Sequence, residues 1–217
     1  MKTRLALFDL DGTLTNTLES MTYSVNQTLK EMGLSQITKD QCRLFVGNGA
    51  RVLMEKSLRA AGDPEGLRIE EGMEIYGRIF DENCTYHVTP YDGIVEMLEN
   101  LKKKNIRLAV LSNKPDQQTV KVVHEIFGDT LFDYAQGQKE GIRRKPEPDG
   151  VYAIMDNMHV KKEECLYVGD SEVDIATGRN ADLKTVGVLW GFRDRTTLET
   201  AGAVNLIEKP EDLLQFV

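Results

Sequence analysis

The short apolar run 5–8 is followed by Asp9-Leu10-Asp11-Gly12-Thr13. Two carboxylates spaced by two, with Gly12 to permit a tight turn, can both aim into one crevice. Adjacent anions are costly unless a cation neutralises them or one holds a proton. The pair therefore suits either a nucleophile with an acid/base or a pair of metal ligands. Taken alone, it also fits a polar strand-to-loop turn.

Three further segments carry usable chemistry. In Leu111-Ser112-Asn113-Lys114-Pro115 a hydroxyl and an amide can hydrogen-bond phosphate oxygens, although Ser and Asn equally suit a helix N-cap. In Arg143-Arg144-Lys145-Pro146-Glu147-Pro148 two prolines stiffen the chain beside a compact cation, or the stretch is a solvated charge run. In Gly169-Asp170-Ser171-Glu172-Val173-Asp174 two carboxylates lie four apart, on one side of a first helical turn. Asp170 could instead cap that helix, with Asp174 favoured by its dipole.

Each segment follows an apolar run, and open α/β sheets bind ligands beyond the carboxyl ends of their strands. Together, Asp9, Asp11, Asp170 and Asp174 would converge and repel one another. A hard divalent cation with oxygen ligands resolves this, and few carboxylates plus a substrate phosphate suit Mg²⁺. Lys145 and Ser112 would then hold the remaining phosphate charge.

The elements that position these residues are legible as two textures. Runs 5–8, 108–111, 166–168 and 185–189 are apolar throughout, as buried parallel strands are, and helical segments alternate with them. This predicts an α/β fold with a Rossmann-like parallel sheet. Between the first run and Cys84 the pattern changes. Leu18, Met21, Val25, Leu29 and Met32 form a helical stripe, with Gly33 as its stop. Thr38 and Gln41 fit a capping box. A helix through 52–58 should stop near Gly62, and another spans 69–80, weakened by Gly72 and Gly77. The expected organisation is an α/β catalytic core, 1–15 and 87–217, with an inserted α-helical cap domain, 16–86.

Composition narrows the function classes. With 41% hydrophobic and 29% charged residues, the chain of 217 residues is not disordered, collagenous or coiled coil as a whole. A net charge of −8 disfavours nucleic acid, yet it permits a small anionic substrate, because a metal ion reverses the local field. Cys42, Cys84 and Cys165 are odd in number and far apart, which argues against a disulfide framework or a zinc site. The histidines His87, His124 and His159 lack metal spacing. Charge interrupts the N-terminal apolar run, and no apolar window reaches about 18 residues, so neither a signal peptide nor a membrane span is expected. The expected location is cytoplasmic.

The ordered set Asp9-x-Asp11-Gly12-Thr13, Ser112-Asn113-Lys114, Lys145-Pro146 and Gly169-Asp170-Ser171-x-x-Asp174 resembles the motifs of the haloacid dehalogenase-like hydrolase superfamily, over nearly the whole chain. The helical insert resembles the cap of the α-helical-lid subgroup. Val46-Gly47-Asn48-Gly49-Ala50-Arg51-Val52-Leu53-Met54-Glu55 is similar to the cap of bacterial phosphoglycolate phosphatases.

The resemblance implies Asp9 as nucleophile, forming an aspartyl-phosphate, and Asp11 as acid and then base. It implies Mg²⁺ on Asp9, Asp11 (through its backbone carbonyl) and Asp170, with Asp174 either ligating or orienting the metal shell. Ser112 would hydrogen-bond the phosphoryl group, and Lys145 would neutralise charge. Candidate substrate-binding residues are Asn113, Gly47, Asn48 and Arg51. The Gly47-Asn48-Gly49 turn either faces the ligand or is an ordinary interhelix turn. Arg51 either meets a substrate carboxylate or is solvated.

The expected reaction is Mg²⁺-dependent phosphomonoester hydrolysis, with 2-phosphoglycolate as substrate. Pyrophosphate, a nucleotide or a sugar phosphate is the alternative within the family, as is a phosphomutase. Dehalogenating members lack the second motif-one acid, so Asp11 argues against that activity; mutases often carry a cap histidine, and 15–86 has none. A non-catalytic phosphate-binding regulator is the alternative from another class. The expected partner is a small phosphorylated metabolite, without nucleic acid or membrane, on a monomer or homodimer.

Overall fold

The structure, a computed structural model, describes residues 2–217. Six parallel strands form its sheet: β1 (Leu5–Phe8), β4 (Arg107–Pro115), β5 (Tyr134–Gln138), β6 (Cys165–Gly169), β7 (Lys184–Val188) and β8 (Asn205–Ile207). The order is β5-β4-β1-β6-β7-β8, with β1 paired to β4 and β6 on its two sides. Every β1 residue is buried, as expected for a central strand covered by helices on both faces. The covering helices are α5 (Ile94–Lys103), α6 (Asp116–Phe127), α7 (Asp149–Asn157), α8 (Glu172–Asn180) and α9 (Arg195–Thr200). This is the α/β fold expected from the sequence.

Four helices precede α5 after β1: α1 (Leu18–Glu31), α2 (Lys39–Phe45), α3 (Ala50–Ala61) and α4 (Ile69–Asn83). The stripe Leu18, Met21, Val25, Leu29 and Met32 is buried against its neighbours. The Thr38/Gln41 capping box forms at α2, and α3 ends at Gly62 with φ 119°. Gly72 does not break α4. A Cβ there would lie 3.2 Å from Leu58 Cδ1, so the glycine allows α3 and α4 to pack closely. The chain leaves and re-enters the sheet layer through a two-stranded antiparallel ribbon, β2 (Thr15–Asn16) with β3 (Thr89–Pro90).

Within the six-stranded sheet, two strands are not predicted by the apolar runs. β5 is Tyr-Ala-Gln-Gly-Gln and only partly buried, and β8 has three residues. Both are edge strands, covered on fewer sides, so they do not need a continuous apolar sequence. No described helix is long and apolar enough to cross a membrane.

Candidate active site

The carboxyl ends of β1, β4 and β6 bring the singled-out residues to one place. Asp9 leaves β1 with its backbone N–H donating to Val168 O on β6, 2.9 Å. Gly12 turns the chain with φ 92°, and a Cβ there would lie 2.3 Å from Asp170 Oδ2. Only glycine lets this loop lie against Asp170.

Lys145 is the centre of the charge arrangement. Its Nζ lies 2.6 Å from Asp9 Oδ1 and 2.8 Å from Asp174 Oδ1, and the residue is 4% exposed. It is therefore not part of a solvated run, although its neighbour Arg143 is, paired with Glu147 and Asp149 at the surface. Asp170 accepts from Thr13 Oγ1 at 3.2 Å and from Phe192 N at 2.7 Å. The cap of α8 is Ser171, not Asp170, which leaves Asp170 facing the crevice. Asp174 is fully buried and has both oxygens engaged: Oδ1 by Lys145 and Tyr167 Oη, Oδ2 by Ser171 N and Oγ.

Ser112 and Asn113 do not cap α6, because β4 continues through Pro115 and α6 begins at Asp116. The Ser112 Oγ accepts from Lys114 N at 3.1 Å and lines the cavity. Asn113 grips the Lys145 main chain, accepting from Lys145 N at 2.9 Å and donating to Lys145 O at 3.0 Å. It also donates to Gly47 O of the helical insert at 3.0 Å. Its amide thus braces Lys145 against the insert, and the residue also lines the cavity.

Above this floor lies a cavity of about 50 Å³, roofed from the insert by Met21, Leu53, Tyr76 and Phe80. Gly47 and Gly49 line it. Asn48 does not; its carbonyl accepts from Arg144 Nη1 at 2.9 Å. Arg51 is not brought to the cavity either. It is held at the surface of α3 by Glu70 at 2.6 Å and Glu55 at 3.3 Å, nearby carboxylates that compete for its guanidinium.

One site residue escaped the sequence reading. Lys114 is buried beneath the insert with its Nζ 2.7 Å from Asp11 Oδ1. Its signal was present in Ser112-Asn113-Lys114, but a lysine beside Pro115 reads as a surface residue until the length of β4 is known.

Burial dominates the electrostatics. It pushes the Asp9 carboxyl well above the usual range, against the opposing pull of Lys145. Burial and the charge of Asp174 push Asp170 up to about 7. Burial would lower Lys145, but the carboxylates of Asp174 and Asp9 outweigh it and hold the ammonium well above its ordinary value. Oxygens of Asp9, Asp170 and Asp174 lie within 4.8 Å of one another. When all three are ionised, one ammonium leaves two negative charges uncompensated. This deficit, with an all-oxygen donor set, fits a hard divalent cation. Such a site can position a phosphoryl group against a carboxylate nucleophile.

Comparisons with known proteins agree with this chemistry. A phosphoglycolate phosphatase of Aquifex aeolicus is 32% identical over 214 residues, which cover 99% of this chain and 96% of that protein. One from Mannheimia succiniciproducens is 30% identical over 219 residues, covering 99% and 98%. The crystal structure of a predicted phosphoglycolate phosphatase from Haemophilus somnus superimposes with a TM-score of 0.91 at 27% identity, covering 100% of this chain and 98% of that one. The family model described as haloacid dehalogenase-like hydrolase matches residues 6–188. With the model matched over most of its length, the chain belongs to the haloacid dehalogenase-like hydrolases.

Proposed function

We propose that this protein is a Mg²⁺-dependent phosphomonoesterase that hydrolyses 2-phosphoglycolate to glycolate and phosphate. The observation that carries the reaction type is the buried Asp9–Lys145–Asp174 arrangement with Asp170 beside it, at the floor of a roofed cavity. The relatives' names support the substrate.

Asp9 attacks phosphorus through a carboxylate oxygen, the ester P–O bond breaks, and the phosphoryl group passes to Asp9. Asp11 gives a proton to the departing glycolate oxygen. It then takes one from the water that attacks the aspartyl-phosphate, which releases phosphate and restores Asp9. Ser112 donates its free hydroxyl hydrogen to a phosphoryl oxygen. Lys145 holds Asp9 and balances the charge of the incoming phosphate. Asp9 and Asp170, with the Asp11 carbonyl, would hold Mg²⁺. When bound, the ion neutralises phosphoryl oxygens. The saturated hydrogen bonding of Asp174 supports an orienting role for it, with its oxygens committed to Lys145, Tyr167 and Ser171.

The insert 16–86 acts as a lid, with 15–17 and 85–91 as its hinges. The β2–β3 ribbon lies at both crossings, which suits motion of the insert as one body. The apolar roof of Met21, Leu53, Tyr76 and Phe80 over the site supports a compact ester over a nucleotide. The test is phosphate release from 2-phosphoglycolate, pyrophosphate, glucose 1-phosphate and a nucleoside monophosphate, each with Mg²⁺ and with chelator. Fastest release from 2-phosphoglycolate, lost with chelator, is expected. Preference for another ester would overturn the substrate, and phosphate binding without turnover of any ester would overturn the enzyme.

A further inference from the structure

Tyr76 on α4 is 2% exposed and lines the cavity, yet its hydroxyl has no hydrogen-bond partner among the described residues. The hydroxyl is not sealed off as a fully buried unpaired atom, so it opens to the cavity it lines, where a ligand atom can pair with it. The ring is held against Phe80, centroids 5.1 Å apart and 15° from parallel, so the hydroxyl is fixed in position. The rest of the roof around it, Met21, Val46, Leu53 and Phe80, offers no polar side-chain group.

The surrounding chemistry defines the missing partner. Burial keeps the Tyr76 phenol protonated, pushing it well above its ordinary value, so the hydroxyl remains a donor. Lys114 and Arg193 also line the cavity. Gly49, at the start of α3, has no side chain to cap the first-turn amides, and Gly49 and Ala50 both line the same space. Such amides are open donors with a favourable dipole for anions. Lys114 is paired with Asp11, and Arg193 with Glu172 and the carbonyls of Arg43 and Val46, so the open groups at this end of the cavity are donors: the Tyr76 hydroxyl and the first-turn amides of α3. Their complement is an acceptor-only group, which a carboxylate is.

We propose that Tyr76 is a specificity-determining residue whose hydroxyl donates to a carboxylate on the leaving group of the substrate. The inference rests on the phosphomonoesterase reading and deepens it: the phosphate end is held by the sheet loops, and the acid end by the helical insert. Because α4 belongs to the insert, the acid is read only with the insert over the site.

The experiment compares Tyr76→Phe with wild type, with Mg²⁺ supplied, on 2-phosphoglycolate and ethyl phosphate, which has the same carbon count without the acid. The ratio of kcat/KM for the acid to that for ethyl phosphate falls about tenfold in the variant, mainly through KM. The inhibition constant of glycolate rises by a similar factor. An unchanged ratio, or an equal loss on both esters, would overturn the inference, the latter assigning Tyr76 to orienting Asp11. If wild type prefers another phosphorylated acid, the named substrate falls alone, and the ratio for that acid against its homologue without the carboxylate decides Tyr76. If wild type prefers no phosphorylated acid, the inference is overturned.

Discussion

The ammonium of Lys114 donates to Asp11 Oδ1 across 2.7 Å while lying 5.3 Å from the centre of the Phe80 ring on α4. One side chain thus joins the carboxylate proposed as acid and base to the helical insert. The lysine is 2% exposed and Asp11 16%, so the pair is largely dry and is stronger than a surface ion pair.

Replacing Lys114 by Met keeps the aliphatic packing under Phe80 and removes the charge. Asp11 then loses the partner that fixes its orientation. We expect kcat to fall about 10- to 100-fold, a loss typical of a misplaced acid/base group, with a smaller change in KM. Steady-state kinetics on Lys114→Met checks this. An unchanged kcat would show that Asp11 needs no such anchor.

Asn113 predicts a different pattern. Its side chain ties the Lys145 main chain to Gly47 of the insert. Asn113→Ala removes all three hydrogen bonds and leaves the partners inside. Stability should fall by about 1–3 kcal/mol, the cost of unpaired buried polar groups, and kcat should fall with it as Lys145 loosens. A thermal melt and kcat measured on the same preparation check the prediction. Loss of KM alone, with stability intact, would instead assign Asn113 to substrate.

The acid cluster predicts how pH and Mg²⁺ interact. Burial and Asp174 raise the Asp170 carboxyl from 3.8 to about 7 in the metal-free fold. The folded state then holds a proton that the unfolded state has already released across that window. Stability from this group is full below about 3.8 and is lost as pH rises through about 7. Metal binding requires the ionised carboxylate, so protons compete with it. Mg²⁺ should therefore raise Tm more at pH 8 than at pH 5. Melting curves with and without Mg²⁺ at the two values test this, and an equal or reversed effect would contradict it.

The sequence is informative where chemistry or burial constrains it on all sides. β1 and β6 are apolar throughout because helices cover both faces, and their following loops carry Asp9, Asp11, Asp170 and Asp174 in recognisable order. The capping box at Thr38 is local and is legible for that reason. β5 is less legible, because its two buried positions hold Gln136 and Gly137 rather than apolar residues; a Cβ on Gly137 would lie 2.4 Å from Lys114 O. Lys114, Asn48, Arg51 and Tyr76 are not decided by local pattern at all. Whether a lysine is buried, whether an arginine finds Glu70 before a substrate, and whether a tyrosine roofs a cavity depend on the docking of α3 and α4 over the sheet.

The central claim is that Asp9 carries the phosphoryl group. It is tested most directly by mixing the protein with Mg²⁺ and 2-phosphoglycolate, quenching in acid during turnover, and mapping phosphate on the peptides. We expect phosphate on the peptide containing Asp9, at Asp9, and neither label nor phosphate release from Asp9→Asn. Turnover that survives in Asp9→Asn, or phosphate on another residue, would contradict the account.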